Sequence, residues 1–217
     1  MKTLSRGHVV LAGGLSALAG FVDAVGYLQL RGAFVSFMSG NSTLFAVGLA
    51  RGNMAGVALL GSLLGLFVAG VMLGTFLAGA GSGRWQIPAV LAGVSGLLTC
   101  AALAFHLNAP LAAVAAMTLA MGAANATFQR DGDVVVGVTY MTGTLVKFGQ
   151  KLAAALTGGP PWDWAPYLWL WTGLIAGGWI GASAFGAIGL AAVNLAVGWS
   201  LILTIYAGLS VARGPKA

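Results

Sequence analysis

The stretch Phe34–Leu49 reads FVSFMSGNSTLFAVGL, apolar at both ends with SGNST between them. Hydrocarbon offers no hydrogen-bond partner, so polar groups there must find protein partners or line a cavity. Ser39, Gly40, Asn41, Ser42 and Thr43 inside a greasy run are therefore costly unless they are used. The chain writes the pattern twice. Tyr140–Lys151 reads YMTGTLVKFGQK, with Met-Thr-Gly-Thr where Met-Ser-Gly-Asn stood earlier. Those residues are Thr142, Gly143 and Thr144, after Met141.

Working outward, the whole chain of 217 residues is 59% hydrophobic and 6% charged, with a mean hydropathy of +0.95. A soluble domain is about 25% charged, so this composition reads as an all-α polytopic membrane protein. At roughly 20 residues per span there is room for about six to eight helices and little else. The net charge is +6, but the ten Lys and Arg are scattered singly. That excludes a basic nucleic-acid surface and fits cations placed at the cytoplasmic ends of spans. The single Cys100 excludes an internal disulfide, and neither His8 nor His106 has a second ligand at metal-binding spacing. Lys2 and Arg6 before an apolar run imitate a signal peptide, but the run continues to Leu30, so an uncleaved first span is expected.

One transmembrane domain is expected, made of two related halves at about 8–106 and 109–211. Asp23 precedes Gly40 by about the distance at which Asn125 precedes Gly143, and a glycine-rich span follows each motif. Internal symmetry of this kind is how many transporters are built. Two topologies compete. If both motif stretches cross, there are eight spans. If each dips in and returns, there are six spans plus two short motif helices, and the halves are inverted. The second arrangement leaves only Arg31 and Arg51 outside, so the positive-inside rule favours it.

An ionisable group inside a span is costly and marks a functional site or a pair. Asp23 is thus the sharpest residue, a candidate proton or cation site, with Lys147 as its candidate partner. Ser39, Asn41, Thr43, Thr142 and Thr144 offer polar groups to a solute, with Asn125 as the neutral counterpart of Asp23. Gly40 and Gly143 would let the backbone unwind or be approached closely. The competing reading makes the hydroxyls helix–helix hydrogen bonds and the lysines snorkelling side chains.

The segments GFVDAVGYL, FVSFMSGNST, AMGAANATF and VTYMTGTLVKFG resemble the YoaK-like family of small bacterial membrane proteins (domain of unknown function 1275). The resemblance spans nearly the whole chain and implies a multi-pass protein of the bacterial inner membrane; it supplies no substrate. The expectation is a small-solute or ion transporter or channel in the lipid bilayer, its site lying where the two motifs meet near the midplane. Its N-terminus is expected in the cytoplasm, and protons are candidate coupling ions. No cofactor or metal is expected. The alternatives are an assembly protein that forms a homodimer through glycine faces such as Gly65, Gly70, Gly173 and Gly177, and a membrane-embedded enzyme, for which no nucleophile–base pair is evident.

Overall fold

The structure, a computed structural model, describes residues 6–81, 83–130, 133–134 and 139–213. Lys2, expected as a cation ahead of the first span, lies outside them. The fold is that of a polytopic all-α membrane protein, with eight α-helices among the described residues: α1 Arg6–Leu30, α2 Met38–Ala50, α3 Met54–Gly81, α4 Gln86–His106, α5 Pro110–Ala124, α6 Met141–Leu156, α7 Ala165–Ile188 and α8 Val193–Ala212. A two-residue antiparallel pair, Gln129–Arg130 with Asp133–Val134, sits between α5 and α6. Four stretches are long and apolar enough to cross a bilayer, and the last of them holds both α7 and α8. The helix α5 is shorter but apolar, and its face from Ala113 to Ala124 is nearly all buried. By contrast α2, with 13 residues, rises about 20 Å, short of the roughly 30 Å hydrocarbon core.

Small residues set the packing, because a helix without side-chain bulk lets a second backbone lie against it. The most extensive pairings are α1 with α7 and α3 with α5. Along α7, a methyl group added at Gly177 would strike the Ala17 carbonyl, and one at Gly181 the Phe21 carbonyl. Along α3, Gly70 and Gly74 stand in the same relation to Leu119 and Ala123. In the reverse sense, Gly20 abuts Leu174 and Gly122 abuts Phe67. Each contact in one pair has its counterpart in the other at a constant sequence offset.

The same contacts fix the helix directions. Residues 13, 17 and 21 meet 173, 177 and 181 in order, so α1 and α7 are parallel, and so likewise are α3 and α5. Against α8, Gly14 meets Leu203 and Phe21 meets Trp199, an antiparallel order. Helix α4 is antiparallel to α8 too, since His106 bonds Asn194 (3.4 Å) while Ser95 bonds Thr204 (2.9 Å). Gly81 with Ala89 and Gly93 with Leu77 make α3 antiparallel to α4. It follows that α1 and α3 run oppositely, and that the chain between them enters and leaves on one side. The same holds between α5 and α7, on the other side. The structure therefore has six crossing helices, and α2 and α6 are the re-entrant ones; the eight-span alternative is not realised.

Candidate functional site

The first re-entrant stretch is built from the end of α1. After Leu30 the chain turns at Arg31, whose φ is 55°, and at Gly32, whose φ is 125°. It then descends beside α1, with Val35 against Gly26. A descending backbone without helix or sheet needs partners for its N–H groups. Asp23 supplies them, seven residues below Leu30 and about 10 Å down the helix. Its Oδ1 accepts from the N–H of Val35 (2.9 Å) and of Ser36 (2.8 Å). Asn41, fully buried, holds the other edge. Its Oδ1 accepts from the Phe34 N–H (2.9 Å), and its Nδ2 donates to the Phe34 carbonyl (2.7 Å). From that clasp α2 climbs back along α3, with Phe45 at Gly61 and Gly48 at Val57.

The second stretch repeats this in altered chemistry. Asn125 stands where Asp23 stood. Its Oδ1 accepts from Thr139 Oγ1 (3.0 Å) and its Nδ2 donates to the Met121 carbonyl (3.0 Å). Buried Thr144 takes the place of Asn41, and its hydroxyl donates to the Tyr140 carbonyl (3.3 Å). Helix α6 begins beside α1, where Met141 touches Ser16, and it ends among the interfacial aromatics, with Phe148 and Trp164 rings 6.0 Å apart.

Gly40 and Gly143 lie within regular helix rather than at an unwound point. Each makes room for the aromatic ring three residues earlier, Phe37 and Tyr140 respectively. Ser39, Thr43 and Thr142 face outward, and Thr43 bonds back to the Ser39 carbonyl (3.1 Å).

Two expectations are corrected here. The two Gly-centred stretches do not converge on one site: α2 lies along α3, α6 lies along α7, and they form no interface with each other. The physical reason is that each is packed on a different helix of the six-helix body, α2 on α3 and α6 on α7. Nor does Lys147 pair with Asp23. It is exposed on α6 next to Phe148, level with Trp164, where an ammonium reaches the interface. The ion pair among the described residues is Lys151 with Asp163, at 3.9 Å on the same side.

What the structure adds is a groove of about 350 Å³ between α1, α7 and the descending strand. Asp23 is in its wall with Tyr27, Phe34 and Trp179. Phe34 is held by Tyr27 (ring centroids 4.8 Å) and by Phe37 (5.2 Å). Sequence reasoning missed these aromatics. Trp179 belongs to a glycine-rich helix and stands apart from the dense Trp162–Trp171 cluster. Its available signal was its position beside Gly178, on the face opposite Gly177 and Gly181.

A family described as "Protein of unknown function (DUF1275)" matches residues 11–206. The chain belongs to that family. It is also 39% identical over 174 residues to a UPF0700 transmembrane protein of Rhizobium meliloti (strain 1021), covering 80% of this chain and 74% of that one. No solved structure matches it. The DUF1275 match takes in both re-entrant stretches and all six crossing helices, apart from the ends of α1 and α8.

Proposed function

We propose that this DUF1275 protein moves a small solute or ion across the bacterial inner membrane, as a carrier or a channel. The observation that supports the reading best is the pair of re-entrant helices of opposite direction. One enters from each side, and both point their N-termini into the membrane. Inverted halves with interrupted helices are the architecture of many secondary transporters, in which half-helix N-termini and freed backbone meet the substrate. The constant offset between the α1–α7 and α3–α5 contacts favours two repeats, at about 8–106 and 109–211. Asp23 is the residue on which the transported charge or proton would act, because an acid within a span is rarely kept without use. Arg84, Lys147, Lys151 and Arg213 fall on the side where α1 begins, whereas Arg31 and Arg51 fall on the other. On the positive-inside rule, this distribution supports a cytoplasmic N-terminus.

The competing reading, homodimerisation through glycine faces, is weakened at its own residues. Gly70, Gly173 and Gly177 face backbone of the same chain, and of the four candidates only Gly65 has open space.

The test is flux. Purified protein in liposomes is mounted on a solid-supported membrane and challenged with gradients of inorganic ions, amines, carboxylates and neutral metabolites. The expected outcome is a saturable response to one chemical class that Asp23→Asn abolishes or reshapes. Asparagine keeps an oxygen for Val35 and Ser36 while removing the charge. Silence toward every class, with protein shown to be folded and inserted, ends the transport reading.

A further inference from the structure

We infer that the groove between α1 and α7 binds a small organic cation bearing apolar substituents, taken up sideways from the bilayer. The inference deepens the transport reading and rests on it for physiological meaning; binding itself is measured separately. The groove's volume, about 350 Å³, is that of a small-ligand site. Its one charged wall residue is Asp23, and its lining holds no Lys, Arg or His. An anion would therefore find no cation to pair with there.

A bare hard cation such as calcium takes six to eight oxygen ligands. This lining offers one carboxylate amid aliphatic and aromatic surface, too few for such an ion. An alkylammonium asks for less: one counter-charge and aromatic faces. Tyr27, Phe34 and Trp179 supply the rings, which attract a cation through their electron-rich faces. The N–H groups of Val35 and Ser36 fall on Oδ1, and the Ser36 hydroxyl and the Phe37 N–H also hydrogen-bond the carboxylate, so a guest would meet Asp23 as a counter-charge fixed in place by its neighbours. Gly20 and Gly178 form the floor, where α1 and α7 touch backbone to backbone. The mouth is open on the outer face: Trp179 is 72% exposed at its rim.

The probe is benzyltrimethylammonium, with neopentylbenzene as a neutral compound of the same shape. Full-length protein in nanodiscs is unfolded thermally over a titration of each. A ligand bound by the folded state alone raises Tm with concentration. The expected result is a saturable rise with benzyltrimethylammonium and none with neopentylbenzene. Asp23→Asn should lose the rise. Ala182→Trp, which fills the groove and leaves the bonds of Asp23 in place, should lose it too, so the test survives even if Asp23→Asn does not fold. Equal shifts from both compounds, a shift that persists in Ala182→Trp, or no shift in the native protein would each overturn the site. Binding without flux of this cation in liposomes would leave the site standing and separate it from the transport reading, which fails only on silence toward every class. Flux without groove-dependent binding would remove the site and leave the transport reading standing.

Discussion

Asn41 directs both ends of its amide at one residue, Phe34, and does so with no exposure to the surroundings. Removing it strands a buried N–H and a buried carbonyl, and each such group costs about 1–3 kcal/mol. Asn41→Ala is therefore expected to destabilise the protein by about 3 kcal/mol, read as a lower unfolding midpoint in detergent. Asn41→Asp should be comparably harmful, because a carboxylate has no hydrogen to give the Phe34 carbonyl. Stability unchanged in both variants would remove the clasp. The sequence announced Asp23 and Asn41 as polar groups too costly to be left without partners, and both have backbone partners. It could not name their partners, because those are backbone N–H and carbonyl groups of 34–36, which leave no mark in the residue alphabet. Spacing suggested Lys147 for Asp23 because only side chains are visible at that level.

At the level of elements, glycines separate helices that touch from helices that do not. Gly177 faces the Ala17 carbonyl, whereas Gly65 faces open space. Gly177→Ala forces α1 and α7 apart, an overpacking cost of about 1–3 kcal/mol. Gly65→Ala should stay within about 0.5 kcal/mol of the native protein. Parallel unfolding curves measure the difference, and equal effects at the two positions would refute the packing scheme. Periodic glycine in α3 and α7 was legible as a close-contact face. Whether the contact lay within one chain or between two was not, since a small residue at intervals of four reads alike in both cases. The short re-entrant helices were legible as interruptions. Their direction was favoured by the charge count alone; what fixes it is α4 lying antiparallel to α8, a contact between helices far apart in sequence that no local pattern records.

For the whole molecule, six crossings and two re-entrant stretches predict which termini and turns share a side. In a Cys100→Ser background, Arg31→Cys and Arg51→Cys should react with a membrane-impermeant maleimide in intact cells, whereas Arg84→Cys and Arg213→Cys should react only after lysis. Arg51 and Arg84 decide the matter: an eight-span chain would exchange their sides. The positive-inside count pointed this way from the sequence, and the helix directions independently group Arg31 with Arg51 and Arg84 with Arg213. The pairing of α1 with α7 also bears on biogenesis. Among the described helices, α1 is made well before its main companion α7, so it must remain in the bilayer or beside the insertion machinery while the intervening helices are made. A product stopped before Ala165 would hold a carboxylate-bearing helix with its glycine seam unfilled, a natural mark for quality-control proteolysis.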